Sequence, residues 1–277
     1  MGERVRRSPI AGSWYPGEAG AIAEEVETYL APVPRRELAG RLVGLISPHA
    51  GLFYSGPVAA WGYSLVRGRR DLTVVLVGPS HFVAFDGVAV YGRGAWDTPL
   101  GRVPVDEELA GALVDEHPGI VDDPSPHVRE HSLEMQLPFL QHLVPGLRIV
   151  PVLMGSQARS EVELLSAALG RVLATRPALL VASSDLSHYH PAAMANRLDA
   201  LVVEDVRAFA PETLMDRLES SHEHACGGGP IVAVMRAARA LGAREAEVLR
   251  YGDSGDVGEH DKSRVVGYMS AALVAPA

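Results

Sequence analysis

Residues 42–56 read LVGLISPHAGLFYSG. The apolar run Leu42–Ile46 stops at Pro48, and His49 follows at once. Gly51, Tyr54, Ser55 and Gly56 come next, before helical spacing sets in. A short apolar run bounded this way reads as a buried strand that delivers a histidine to its carboxyl end. Leu72–Val77 repeats the device, because Gly78, Pro79, Ser80 and His81 follow it. A lone histidine after a strand is more often a surface or hydrogen-bonded group. Two in matching contexts suggest a shared metal site, and both readings stay open at this point.

The rest of the chain alternates in the same style. Helical spacing marks Ala19–Ala31, Pro57–Val66 (with Ser55 as N-cap), Glu107–Glu116 after an Asp106 cap, and His131–Leu143 despite Pro138. It recurs in Ser160–Thr175 with Ser160 as cap, Ala192–Phe209, Pro211–Leu218 and Ile231–Leu241. Strands are expected at Gly87–Tyr91, Arg148–Met154, Ala178–Ala182, Val248–Tyr251 and Val265–Val274. Strands alternating with amphipathic helices predict an α/β fold: one domain spanning residues 1–277, with a mainly parallel central sheet covered by helices on both faces.

Composition narrows the function classes. Hydrophobic residues make up 47% and charged residues 21%, which is an ordinary globular balance. The formal net charge is −9, and basic residues cluster only at Arg67–Arg70, so nucleic-acid binding is not expected. No apolar run is long enough to span a bilayer, so no membrane association is expected. The first residues, MGERVRRSPIAGSW, lack the apolar core of a secretory signal. One cysteine, Cys226, precludes an internal disulfide. A cytoplasmic protein is expected.

In open α/β sheets, ligands collect outside the carboxyl ends of the strands. Strand 178–182 ends in Ser183, Ser184, Asp185 and His188. Asp185 and His188 suit a helix cap, a metal ligand or an acid–base pair equally. Cys226 lies in HACGGGP, just before a helix. A helix N-terminus lowers a thiol pKa, which would make Cys226 a nucleophile or a metal ligand. The three glycines could form a weak oxyanion or phosphate cradle. Glu134, three residues after His131, is read as a solvated acid. His222 and His224 are expected to be exposed, and His117, His127, His142 and His260 to lie on the surface. Trp14 is expected to pin the N-terminal arm to the core, with a place lining the pocket as the alternative.

With these residues assembled, the chain resembles the Memo family over nearly its whole length. The matching blocks are AGSWYPG at Ala11–Gly17, SPHAGLFYSGPVAA, GPSH with a following TPLG, EHSLEMQLPFL, SSDLSHY and ACGGGPI. That family is similar in fold to class III extradiol ring-cleavage dioxygenases, which hold non-haem Fe(II). The resemblance implies that His49 and His81 are metal ligands and that Cys226 stands where the dioxygenases use a carboxylate. It implies an acid–base role for His188 and a pocket position for Asp185. Fe(II) is the implied cofactor, with Cu or Zn as alternatives, since a thiolate is a softer ligand than a carboxylate.

Three functions follow as expectations. The first is a metal-dependent redox enzyme acting on a small molecule, with His188 moving a proton and Asp185 orienting it or binding the substrate. The second is a non-catalytic binding or accessory protein that takes a peptide or anionic ligand in the same pocket. The resemblance implies peptide binding in animal relatives and a radical-SAM partner protein in microbial ones. The third needs no metal, with Cys226 as nucleophile and His188 as its base.

Overall fold

The computed structural model describes residues 4–221, 223–258 and 261–277. The expected surface histidines His222 and His260 lie outside the described residues. In chain order the elements are β1 (Val5–Arg7), α1 (Ala19–Leu30), β2 (Gly40–Ser47), α2 (Leu52–Tyr63), β3 (Thr73–Pro79), β4 (Val88–Val90), β5 (Ala95–Thr98) and β6 (Gly101–Pro104). Then come α3 (Glu107–Glu116), β7 (Ile120–Asp122), α4 (Leu137–Leu143), β8 (Arg148–Met154), α5 (Arg159–Thr175), β9 (Leu179–Ser183) and β10 (His188–His190). The chain closes with α6 (Ala192–Arg207), α7 (Pro211–Ser220), α8 (Gly228–Ala240), β11 (Glu245–Asp253) and β12 (Val265–Pro276).

Among the described residues, nine strands form one sheet whose path runs β10-β12-β2-β9-β3-β8-β4-β7, with β11 also paired to β12. Its centre, β2-β9-β3-β8, is parallel. Its flanks are antiparallel: β12 against β2, β11 and β10 on one side, and β4 against β8 on the other. The sheet is therefore mixed: the expected parallel arrangement holds for its middle and for the outer pair β4–β7, and not for its other flanking pairs. The reason lies in connection length. Crossovers with helices lead to the central strands, whereas β11 and β12 are joined by a short connection that returns the chain antiparallel.

Every residue of β3 is buried, as a strand covered on both faces requires. Full burial of one such Val or Leu side chain stabilises the fold by about 1.5–3 kcal/mol. One layer of cover is α1, α2 and α4, with α2 lying on β2, β11 and β12. The other is α5 to α8, with α8 lying on β2, β3 and β9. Gly62 lets α2 approach closely, because a Cβ there would come within 2.6 Å of Ser270 Oγ on β12. No described helix is long and apolar enough to cross a membrane.

Three local expectations change. Helix α2 starts at Leu52, five residues before Pro57, and Ser55 does not cap it. The N-terminal arm begins the helix instead, with Leu52 N–H donating to Trp14 O at 2.8 Å. Helix α5 begins at Arg159, so Ser160 is helical rather than a cap. The stretch from His131 splits into a short 3-10 turn, Glu134–Gln136, and α4, which places Pro138 in its first turn, where the missing N–H costs no helical hydrogen bond. Asp106 caps α3 as expected, its carboxylate accepting from Leu109 N at 3.2 Å.

A second, three-stranded sheet, β1-β5-β6, escaped the sequence reading. Beneath it lies a buried ion pair: Arg6 Nη1 donates to Glu134 Oε2 at 2.5 Å. The other Glu134 oxygen accepts from Tyr15 (2.7 Å) and Ser8. Glu134 is thus fully buried rather than solvated.

Candidate metal centre

The registers explain why distant residues meet. Strand β9 lies between β2 and β3, with Ser47 beside Ser183 and Val77 beside Ala182. The carboxyl ends of all three strands therefore align. His49 leaves β2, His81 leaves β3 and Asp185 leaves β9 at one edge of the sheet, and His188 opens β10 just beyond. Cys226 arrives from the other side, in the loop before α8.

One ligand atom from each of His49, His81 and Cys226 lies within 4.8 Å of the others. The rings of His49 and His81 stand edge to face, 5.2 Å apart. Cys226 Sγ is 3.2 Å from His49 Nε2.

Hydrogen bonds fix both ring tautomers. Ser183 Oγ donates to Ser132 O at 2.6 Å, so its lone pairs accept from Gln136 Nε2 (2.9 Å) and from His49 Nδ1 (2.8 Å). His49 Nδ1 carries the proton, and Nε2 keeps its lone pair toward the sulfur. Gln136 is held in turn by Tyr63, whose hydroxyl donates to Gln136 Oε1 at 2.6 Å. On the other side His81 Nδ1 donates to Glu130 Oε1 at 2.9 Å, which leaves His81 Nε2 free. Two imidazole lone pairs and one sulfur, each backed by a fixed partner, are a donor set that fits a thiophilic or borderline divalent ion.

Burial and neighbouring charge set the protonation states. Burial holds His49 well below the usual imidazole range. The same cause lowers His188, and lowers His131 to about 4. Burial pushes the Cys226 thiol up, with the Asp185 carboxylate acting in the same direction. Burial thus opposes the expected lowering by the helix N-terminus. The N–H groups of Gly227 and Gly229 are already taken by Ser184 Oγ (2.9 Å) and Gln157 Oε1 (2.7 Å). Two of the three N–H groups of the glycine run are thereby already engaged. The run permits close packing, since a Cβ on Gly227 would lie 2.4 Å from Ser183 O.

Asp185 is buried, and burial raises its pKa to about 7 against the opposing pull of two backbone donors. Those donors are His49 N (2.7 Å) and Ala50 N (3.3 Å), both on Oδ1. Asp185 therefore fixes the turn that carries His49. His188 is oriented by another group, with Nδ1 donating to Leu186 O at 2.9 Å.

A cavity of about 950 Å³ opens above these groups. His49, His81, His131, Asp185 and His188 line its floor, and Trp14, Phe53, Tyr54 and Tyr189 line its walls. Trp14 is 38% exposed, so its side chain faces the pocket rather than pinning the arm. Its ring lies 4.3 Å from His131, which stacks at 4.6 Å on His81. Tyr15 and Ile10 anchor the arm instead, both buried.

Sequence reasoning missed Glu130, Ser183 and Gln136 as supports of the two rings. Their signal was weak, since each lies one or two residues from a group already singled out. His127 and His224 are buried rather than on the surface, and His127 Nε2 donates to Ala89 O at 3.2 Å.

Comparison with known proteins now places the chain. The Memo-like protein family profile matches residues 6–272. The chain belongs to the Memo family. It is 38% identical to a MEMO1 family protein of Methanothermobacter thermautotrophicus over 95% of this chain and 98% of that one. It is 37% identical to one from Methanococcus maripaludis, covering 97% and 99% of the two chains. A Thermotoga member is 34% identical over 97% and 99%. Among solved structures, an uncharacterized protein of Escherichia coli shares the fold, with a TM-score of 0.53 and 17% identity over 84% of this Memo chain and all of the other.

Proposed function

We propose that this Memo-family chain binds one metal ion through His49, His81 and Cys226 and acts as a metal-dependent oxidoreductase on a small molecule. The observation that carries the reading is the convergence of three ligand atoms within 4.8 Å, with both ring lone pairs left free by their partners. Fe(II) is the favoured ion through the resemblance to extradiol dioxygenases, with Cu or Zn as alternatives. The bound ion would supply Lewis acidity and, if iron or copper, electron transfer.

The chain's own residues do the rest. His188 lines the cavity, its Nδ1 is engaged by Leu186 O and burial lowers its pKa, so its other ring nitrogen is the one available to take a proton from a substrate hydroxyl there. Asp185 holds the His49 turn. The aromatic walls would seat an apolar substrate body. Anaerobic titration with Fe(II) tests the centre, and absence of binding by the unsubstituted chain removes it.

A second reading keeps the pocket without a reaction. The exposed rim of Phe53, Tyr54 and Tyr189 supports it, since such residues suit the capture of a peptide or of a protein partner such as the implied radical-SAM protein. Oxygen uptake by metal-loaded protein with a catechol panel separates the two. Uptake above that of His188→Ala favours the enzyme.

The nucleophile reading loses support, because the thiol is raised rather than activated.

A further inference from the structure

We infer that Glu130 sets the charge state of the metal ion that the centre prefers, acting through His81. The inference rests on the metal-centre reading above. Each ligand imidazole has a group behind it, and the two groups differ in charge. Behind His49 stands the neutral Ser183 hydroxyl, at 2.8 Å. Behind His81 stands a carboxylate, at 2.9 Å.

Glu130 is 1% exposed. Its Oε2 accepts from His81 N at 2.6 Å, and its Oε1 accepts from His81 Nδ1, His131 N and Ser132 N, each at 2.9 Å. Every partner is a donor, so the surroundings are built for the acceptor-only, ionised form. A fixed negative charge therefore sits one imidazole away from the centre, in a buried setting that screens it poorly.

Glu130, His81 and His131 also lie close enough to suggest a second cation site of their own. The hydrogen bonds argue against it. His81 cannot offer Nδ1 to an ion while donating from it, and Glu130 Oε1 already takes three donors. The carboxylate serves the first centre from behind its ligand.

The attraction between a fixed charge and an ion scales with the ion's charge. Losing the carboxylate thus costs a divalent ion about twice the free energy that it costs a monovalent one. Glu130→Gln should lower Zn(II) affinity by about 10- to 100-fold, the usual effect of losing such a partner. Halving that free energy gives a loss of about 3- to 10-fold for Cu(I).

The test is anaerobic competition titration of the full chain with Zn(II) and with Cu(I). It compares the unsubstituted chain, Glu130→Gln, Glu130→Asp and Ser183→Ala. The Zn(II)-to-Cu(I) affinity ratio should fall about 3- to 10-fold in Glu130→Gln. It should hold in Glu130→Asp, which keeps the charge, and in Ser183→Ala, which never carried one. Equal losses for the two ions in Glu130→Gln overturn the inference, as does no loss. A changed ratio in Glu130→Asp overturns it independently, should the glutamine variant not fold. Two ions bound per chain, one lost with Glu130, would show the second cation site instead. Failure of the unsubstituted chain to bind either ion is a different result: it removes the centre itself.

Discussion

Cys226 Sγ lies 3.2 Å from His49 Nε2, across 177 residues of chain. The ring nitrogen has a lone pair and the half-buried thiol, raised above its ordinary range, holds its proton, so S–H donates to Nε2 when no ion intervenes. An ion bound there takes both atoms, and the proton must leave. Metal binding should therefore release protons at neutral pH, and affinity should rise with pH. Titration in two buffers of different ionisation enthalpy measures the release. Cys226→Ser should weaken binding severely, and Cys226→Ala should do the same.

The raised thiol predicts slow alkylation. Without metal, Cys226 should react with iodoacetamide more slowly than free cysteine at pH 8, because little thiolate is present. A rate at or above that of free cysteine would restore the nucleophile reading.

The Arg6–Glu134 pair is buried on both sides. Glu134→Ala leaves an arginine charge without its partner, and should cost about 3–5 kcal/mol. Urea denaturation measures it. The same change frees Ser8 and Tyr15, so Trp14 should lose its place over His131, and its fluorescence should shift toward that of a solvated indole.

His127 supplies a pH dependence distant from the metal ligands. Burial lowers its pKa from 6.5 to about 3, with Arg6 acting in the same direction. Below pH 6.5 the unfolded chain takes a proton that the native ring refuses. Stability therefore falls as pH drops from 6.5 toward 3, by about 1.4 kcal/mol per pH unit from this group. His127→Gln, which can still donate to Ala89 O, should flatten the slope by that amount. An unchanged slope would assign the acid loss to other groups.

Asp185→Ala should destabilise the fold by about 1–3 kcal/mol, since two buried backbone donors lose their acceptor. Asp185→Asn keeps an acceptor oxygen and should cost much less. Thermal melts of the two variants compare them directly.

The alternation of apolar runs with amphipathic helices made the central sheet legible, because burial on both faces leaves a continuous apolar signal. Strands β1, β5 and β6 left no such signal. They are three or four residues long, and β1 pairs with a strand some ninety positions away. At the site, the histidines after β2 and β3 stood out because proline and glycine framed them. Glu134 and Gln136 looked like ordinary polar residues beside an apolar helix. Only their partners, Arg6 and Tyr63, reveal that they are buried, and sequence distance hides those partners. Trp14 was misread because its hydrophobicity suggested the core, whereas the arm's own anchors, Ile10 and Tyr15, leave its ring over the pocket.

The cavity draws Trp14 from the first strand's loop and Tyr268 from the last strand, and β12 inserts between β2 and β11. The loop after β1 and strand β12 thus complete one enclosure. During translation, a chain still lacking β12 would have the ligand histidines and the thiol but no finished vessel around them. An ion held as proposed would therefore meet a complete enclosure only once β12 has joined the sheet.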